Sequence, residues 1–202
     1  MHPKILKKVI QNDGKHLTVC PALLMEYTRH RVKYEDYPGI IPYEKAKRVL
    51  NNGEVKPEER CVKGTLVAGL LAGELEQLDL FEGEEYERVA VSVYKLANWT
   101  PLEGDIDVGF VEGIMSVGMT HVHGVTGEVV EAETYVFLDE QGLEGRLWSF
   151  REFVRTSAWK WYGAAVKGGE EGDVAGEEKG GGTSVVDRRL AGTRTPSPCP
   201  HP

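Results

Sequence analysis

The sequence is poor in three features that mark whole classes of proteins: cysteine, basic charge and long apolar runs. Its 202 residues contain 3 cysteines, at Cys20, Cys61 and Cys199. Their wide spacing fits neither a disulfide framework nor a metal-binding cysteine motif. We therefore expect a reducing compartment, and the cytoplasm is the simplest location.

Basic residues are outnumbered by acidic ones, with 24 Lys and Arg against 32 Asp and Glu and a formal net charge of −8. A nucleic-acid-binding domain needs a basic face, so we expect no nucleic-acid partner. No run approaches the ~20 apolar residues of a membrane span. The first ten residues, MHPKILKKVI, also lack the apolar core of a signal peptide. We expect neither secretion nor a membrane partner.

Apolar residues are unevenly distributed along the chain, and this predicts its domain organisation. The hydrophobic fraction is 41% overall, but apolar residues become sparse after Gly163. The remainder is rich in Gly, Glu and Lys, then in Pro and Ser. Such a segment cannot bury enough apolar surface to offset the entropy of ordering it. We predict one folded domain over residues 1–163 and a disordered tail over residues 164–202.

The spacing of apolar residues predicts few helices. It indicates short helices over residues 3–11 and 74–81, and an amphipathic helix over residues 147–162. The predicted buried stripe of that last helix contains Phe150, Phe153, Val154, Ser157 and Trp161.

Strands are predicted where apolar residues alternate or where β-prone runs lie between turn residues. The stretch around Cys20 is predicted to be an edge strand, because Pro21 cannot donate to a ladder. The charged stretch 44–60 is interpreted as a solvated loop. The predicted strands cover residues 16–27, 37–42, 61–71, 88–94 and 129–138. Such meanders with few helices predict an α+β domain, a small mixed β-barrel with helices flanking it.

The turn-rich segment 98–127 is longer than a compact domain needs for a connection. It contains His121 and His123, whose side chains would point the same way on a strand. Paired histidines can bind a metal, but the sequence offers no clear third ligand. We favour a solvent-facing hairpin and predict no metal site.

The stretch LDLFEGEEYERVAVSVY, residues 78–94, runs from a helix through an acidic turn into an alternating strand. Val89, Val91 and Val93 face one side of that strand. Glu82 lies just before it, where a carboxylate can project over the end of a sheet. Nearby apolar surface would raise its proton affinity and suit acid–base chemistry. From composition alone, an ordinary solvated acidic turn is the simpler interpretation.

A specific resemblance changes that interpretation. The segments YPGIIP, VKGTLVAGL, ELEQLDLFEGEEYERVAVSVY and AETYVF occur in this order before an aromatic C-terminal helix. This order resembles the γ-glutamyl cyclotransferase-like family, in particular its plant and fungal avirulence-induced-gene-like branch. The resemblance covers residues 3–162, and LDLFEGEEYERV is its most distinctive part. It implies a small β-barrel with a cavity at one end that binds a γ-glutamyl small molecule.

The resemblance also implies roles for three residues. The catalytic glutamate of the family corresponds to Glu82, which would move a proton while the substrate closes on itself to release 5-oxoproline. Tyr86 matches the tyrosine of the family pattern and is a candidate to line the cavity or hold Glu82, although strand packing explains it equally well. Tyr135 is a further substrate-binding candidate. The reaction requires no metal or organic cofactor, and the oligomeric state is left open.

The chain departs from the family pattern at its beginning. Family members start with a strand and loop reading approximately FxYGTL, whose backbone amides hold the substrate, and this segment is expected before residue 3. Gly64-Thr65-Leu66 matches those letters but belongs to a later strand. Three interpretations follow: a γ-glutamyl cyclotransferase, a related enzyme with another γ-glutamyl substrate such as a γ-glutamylamine, or a binding or regulatory module on the same barrel.

Overall fold

The computed structural model describes residues 3–51, 53–102, 127–157 and 161. The helices in these residues are short, and none of them is long and apolar enough to cross a membrane. They are α1 (Pro3–Val9), α2 (Tyr43–Val49), α3 (Ala72–Glu82) and α4 (Phe150–Thr156).

The strands in the described residues form two antiparallel sheets. The larger sheet has the order β4-β1-β5-β7, with β6 paired to β1, and the smaller sheet has the order β3-β2-β8. The strands of the larger sheet are β1 (Thr18–Met25), β4 (Cys61–Ala68), β5 (Tyr86–Lys95), β6 (Thr100–Pro101) and β7 (Val129–Phe137). Those of the smaller sheet are β2 (Tyr27–Val32), β3 (Pro38–Pro42) and β8 (Leu143–Leu147).

An apolar cluster lies between the two sheets. Its buried members come from the larger sheet, and Tyr27 and Ile40 of the smaller sheet pack against it. Fully burying a side chain of this kind contributes about 1.5–3 kcal/mol, so this cluster is a principal source of stability. The buried members are Ala22, Leu24, Val62, Val91 and Val93. The curled antiparallel sheets with few helices confirm the predicted α+β, barrel-like fold.

The larger sheet is regular on one side of β5 and open on the other. β5 and β7 pair continuously from Tyr86↔Phe137 to Tyr94↔Val129. In contrast, β1 and β5 pair at two positions only, Ala22↔Lys95 and Leu23↔Tyr94. The two strands therefore diverge towards the beginning of β5.

The prediction of an edge strand around Pro21 is wrong, because β1 lies inside the sheet between β4 and β5. The carbonyl of Pro21 accepts a hydrogen bond from the amide of Leu96, 2.9 Å away, on the β5 side. A strand residue directs its N–H and C=O to the same side, so the missing donor also faces β5. Pairing on that side is interrupted, which explains why a proline is tolerated there.

The interpretation of residues 44–60 as a solvated loop is also wrong for its first part, which forms α2. Charged residues occupy the outer face of this helix, whereas Tyr43 and Ala46 are buried at a helical spacing of three. They join a second apolar cluster on the other side of the smaller sheet. Its buried members are Val32, Ile41, Tyr43, Ala46, Phe137 and Leu143. The polar segment before β3 likewise contains a strand that was not predicted, β2.

The C-terminal helix begins later than predicted, because residues 143–147 form β8. The hydroxyl of Ser149 caps α4 by accepting a hydrogen bond from the amide of Glu152 at 3.3 Å. The chain divides into two compact units between Trp148 and Ser149. In the second unit Ser157 and Trp161 are buried, in agreement with the predicted stripe. The boundary at residue 163 and the disordered tail lie outside the described residues and stay predictions.

Gly39 is required where β3 passes close to β7. A Cβ at this position would lie 2.8 Å from the side chain of Phe137 and 2.9 Å from that of Leu143, whereas a Cβ at Gly64 would meet nothing within 4 Å. Gly39→Ala is therefore expected to destabilise the fold by about 1–3 kcal/mol through overpacking. Chemical denaturation measures this, with Gly64→Ala as the control. Equal stability of the two variants would contradict the close approach.

A buried histidine lies on β2 among the apolar residues. His30 is 0% exposed; its Nδ1 is 3.2 Å from the carbonyl oxygen of Glu144 and its Nε2 is 3.0 Å from the hydroxyl of Thr28. A carbonyl can only accept, so Nδ1 carries the proton and Nε2 accepts from the threonine. Burial lowers the pKa of His30 below its ordinary value of 6.5.

This histidine predicts a loss of stability in mild acid. Below pH 6.5 the unfolded chain binds a proton at His30 that the folded chain does not. Stability from this residue is thus full above that pH and declines below it. We expect the free energy of unfolding to fall as the pH decreases below 6.5, and to fall less in His30→Asn. An identical pH dependence in the variant would exclude His30 as the cause.

Candidate active site at the end of helix α3

Glu82 is the last residue of α3, at the point where the chain turns into β5. Gly83 ends the helix with a φ of 70°, a left-handed conformation that glycine adopts without strain. A short 3₁₀ turn, Gly83–Glu85, then leads into the strand. Phe81 is buried at 4% exposure, whereas Glu82 is half-buried. The sequence thus places a half-buried carboxylate directly after a buried aromatic residue.

The last turn of α3 is tied to the larger sheet through Asp79. Its Oδ1 accepts hydrogen bonds from the hydroxyl of Tyr135 at 2.7 Å and from Nε of Arg88 at 2.9 Å. Nη2 of Arg88 donates to the second oxygen of Asp79 at 3.3 Å, and Nη1 contacts Glu133. Arg88 and Tyr135 are directly opposite each other in the β5–β7 register. Asp79 therefore joins the helix to two neighbouring strands.

These contacts determine the charge of Asp79. Its partial burial opposes ionisation, but the hydrogen bonds from Tyr135 and Arg88 outweigh that effect and lower the pKa of Asp79 below 3.8. Asp79 is therefore a carboxylate at neutral pH, neutralised by the guanidinium beside it. This leaves it suited to hold structure and unsuited to accept a proton in a reaction.

Tyr135 lies next to both carboxylates of the helix end. Burial, the hydrogen bond to Asp79 and the charge of Asp79 raise the pKa of its phenol, and the nearby charge of Glu82 raises it further. The hydroxyl thus stays protonated and donates a hydrogen bond to Asp79. Tyr135 therefore lies close enough to Glu82 for the charge of Glu82 to affect its pKa. Asp79, which accepts the hydrogen bond from Tyr135, lies three residues before Glu82 in α3.

Tyr86 contacts β3 and β7 and not Asp79. Its hydroxyl donates to the carbonyl of Pro38 at 3.0 Å, and its ring packs edge-on against Phe137 with centroids 5.2 Å apart. These contacts connect the start of β5 to β3 and β7. The hydroxyl of Tyr37 donates to Glu85 nearby at 3.4 Å. The predicted substrate-binding role of Tyr86 stays a prediction, and strand packing describes what it does here.

The first turn of α3 is also anchored, again by a buried carboxylate. Glu74 is 6% exposed and accepts from the amide of Leu71 at 2.9 Å. It is also within 3.1 Å of Nε2 of His16 and contacts the side-chain amide of Asn12. Both ends of the helix that carries Glu82 are therefore fixed by side-chain hydrogen bonds to other parts of the chain.

Sequence reasoning singled out Glu82 but missed Asp79 and Arg88, which join the last turn of α3 to the larger sheet. Their one signal in the sequence is that both lie in LDLFEGEEYERV. His121 and His123 lie outside the described residues. Within residues 3–51, 53–102, 127–157 and 161, no group of three or more His, Cys, Asp or Glu side chains is placed to hold a metal ion.

These observations define a small barrel-like α+β domain in which an acidic helix end meets the start of a strand. Residues 2–109, more than half of the chain, match the model of the family described as gamma-glutamyl cyclotransferase, AIG2-like. The chain belongs to this family. The matched region contains Asp79, Glu82 and Arg88.

Sequence similarity to curated proteins of Arabidopsis thaliana agrees with this family assignment. Over 80 residues the chain is 38% identical to AIG2-like protein A and 40% identical to AIG2-like protein B, and over 135 residues it is 27% identical to protein AIG2 C. The first two matches cover 40% of this chain, and the third covers 66%. The matched regions span 40%, 38% and 56% of those relatives, which is well under two thirds of their length.

Two solution structures of Arabidopsis thaliana proteins are similar in shape. The first has a TM-score of 0.45 at 23% sequence identity and covers 79% of this chain and 70% of its own. The second has a TM-score of 0.43 at 23% identity and covers 78% of this chain and 76% of its own.

The anchoring of α3 predicts a measurable stability effect. Tyr135→Phe removes one hydrogen bond to a carboxylate, which typically contributes ~1.5–3 kcal/mol. The side chain of Asp79 is 42% exposed, so screening by solvent reduces the expected loss to about 1 kcal/mol. Chemical denaturation measures it. Tyr94→Phe is the control, since Tyr94 lies on the same face and its hydroxyl has no hydrogen bond to the described residues; similar losses in both variants would contradict the anchor.

Proposed function

We propose that this protein is a γ-glutamyl cyclotransferase-like enzyme in which Glu82 is the general acid and base. The substrate is a γ-glutamyl small molecule. Its own α-amino group attacks the γ-carbonyl carbon, a new C–N bond closes the five-membered ring, and the bond to the leaving amine breaks. The products are 5-oxoproline and a free amine or amino acid.

Glu82 would move one proton through this reaction. Its carboxylate accepts a proton from the α-amino group, so that the amine can act as the nucleophile. It then gives the proton to the departing nitrogen, and the glutamate returns to its starting state. A positioned acid–base group of this kind contributes typically ~10²–10⁴-fold to the rate.

The remaining rate enhancement would come from orientation. The nucleophile and the electrophile belong to one molecule, so the protein has only to hold the reactive conformer. Well-oriented intramolecular reactions gain on the order of 7–11 kcal/mol relative to separate reactants. A rigid support for Glu82 is therefore as important as its proton affinity.

The observation that carries this proposal is the fixed position of Glu82 at the end of α3. The helix end is held by Asp79 through Arg88 and Tyr135, and Glu82 is close enough to Tyr135 to raise its pKa. Glu82 is half-buried and follows the buried Phe81, so it is neither fully solvated nor closed off from a ligand. Family membership supports the same assignment through the segment that contains these residues.

The central test is the replacement of Glu82 with glutamine, which keeps the size of the side chain and removes its acid–base function. We expect release of 5-oxoproline to fall by about 10²-fold or more with an unchanged circular dichroism spectrum. Glu84→Gln is the matched control, because Glu84 is an exposed acid in the following turn. It is expected to keep full activity.

A substrate panel belongs to the same experiment. The wild-type protein is assayed with glutathione, γ-glutamyl dipeptides and γ-glutamyl-lysine, and the preferred compound identifies the leaving amine. Equal turnover by the wild type and Glu82→Gln would remove Glu82 from the mechanism. If the folded wild-type protein releases 5-oxoproline from none of these compounds, the enzymatic proposal fails. The remaining interpretation is a binding module on the same barrel.

A further inference from the structure

Arg29 lies on β2 and forms no ion pair with the residues that the structure describes. Its Nε is enclosed by protein and has no hydrogen-bond partner among them. The residue as a whole is half-buried, so it is not closed off from solvent. An enclosed ionised group without a partner is costly, and native proteins normally pair it. Within the described residues, Arg29 is therefore a cation that lacks a counter-ion.

The position of Arg29 directs it towards the space between the sheets. Arg29 is opposite Ile40 in the β2–β3 register, and side chains that are directly opposite share a face of the sheet. Ile40 and Tyr27 on that face pack against the apolar cluster between the sheets. Arg29 is thus a cationic position on the face of the smaller sheet that this cluster contacts.

Trp148 forms a rigid support for the guanidinium. The guanidinium carbon of Arg29 lies 4.6 Å from the centre of the Trp148 ring, a cation–π distance. The backbone amide of Trp148 donates to the carbonyl of Arg29 at 2.8 Å, and its indole N–H donates to the carbonyl of Asp36 at 3.1 Å. The indole face therefore covers the guanidinium while it leaves the N–H edge without a protein acceptor.

A comparison with Arg31 on the same face of β2 makes the difference clear. Nε of Arg31 donates to the carbonyl of Glu35 at 2.9 Å and lies 3.8 Å from a carboxylate oxygen of Glu144. Arg29 has neither type of contact in the described part of the chain. Burial lowers the pKa of Arg29 to about 10, without an acidic group to offset it, so the side chain still carries its charge at neutral pH.

We propose that Arg29, supported by Trp148, is the anchor of a binding site for the carboxylate group of a small molecule. A planar guanidinium whose two Nη groups have no acceptor in the described residues matches a planar carboxylate through two parallel hydrogen bonds. A single negative charge compensates the single charge of Arg29. The protein has a net charge of −8, which disfavours a multiply charged anion such as a phosphate ester.

This site goes beyond the proposed reaction, since it requires no chemistry at Glu82. The carboxylate can belong to a γ-glutamyl compound or to an unrelated small acid. A binding experiment that does not depend on turnover distinguishes these sources. It also separates a failure of this proposal from a failure of the proposed enzymatic function.

The test is a titration of the ¹⁵N-labelled protein, followed at the Nε–H resonance of Arg29, which is assigned from its absence in Arg29→Lys. The probes are 5-oxoproline, propionate, the neutral amide 5-oxoprolinamide and inorganic phosphate. We expect saturable shifts with 5-oxoproline, or with 5-oxoproline and propionate, and none with the amide. A response to 5-oxoproline alone indicates a γ-glutamyl-type ligand, and equal responses indicate a general carboxylate site.

Variants complete the experiment. In the variants, binding is followed at the indole N–H resonance of Trp148, which lies beside residue 29. Arg29→Met is expected to weaken carboxylate binding by about tenfold or more, as loss of charge-assisted hydrogen bonds predicts. Arg29→Lys, which keeps the charge if the methionine variant does not fold, is expected to weaken it as well because ammonium lacks the planar fork. Arg31→Met is expected to bind as the wild type does, since Arg31 already has a carboxylate nearby.

Four results would overturn the proposal. The first two are an equal response to the neutral amide and a preference for phosphate over both carboxylates. The third is unchanged affinity in both Arg29 variants. The fourth is the absence of any shift of the Arg29 signal with any probe up to about 100 mM, a concentration that detects binding free energies near 1.4 kcal/mol.

Discussion

The candidate site depends on one interaction, the acceptance of hydrogen bonds by Asp79 from two strands at once. Arg88 of β5 and Tyr135 of β7 both donate to it, so the helix cannot shift without breaking contacts to the sheet. Because Asp79 is ionised and neutralised by Arg88, it holds position without competing for protons. Glu82, one turn later, is half-buried and is the acid–base group that we propose. In this proposal one acid holds the helix end, and the other, three residues later, moves the proton.

Much of the fold could be predicted because the strand pattern is explicit. Val89, Val91 and Val93 alternate with polar residues, and the structure buries or half-buries them against the cluster between the sheets. The failures have one physical source, which is that tertiary contacts are absent from local patterns. The first part of residues 44–60 looks solvated because it holds one buried residue, Ala46, among many charges. Ala46 and Tyr43, which lies just before this stretch, are nevertheless enough to hold α2.

The candidate site, too, could be predicted in part from the sequence. Glu82 could be selected because family resemblance and a helix-to-strand turn converge on it. The contacts that join Asp79, Arg88 and Tyr135 could not be predicted from the sequence, since the β5–β7 register brings Arg88 opposite a residue 47 positions later, Tyr135. Arg29 is a stronger example, because nothing in TRHRV distinguishes it from Arg31; only the folded structure shows which arginine has a carboxylate near it.

The divergence of β1 from β5 has a consequence for solvent protection. Successive backbone amides in a strand point to alternate sides. Along β5, those directed at β7 are locked in a continuous ladder, whereas those directed at β1 meet a partner strand only near Tyr94 and Lys95 within the described residues. A single strand would thus combine slow and fast hydrogen exchange at neighbouring residues, with the fast positions concentrated near Glu82. The rigid and the open sides of the proposed catalytic region are two edges of the same strand.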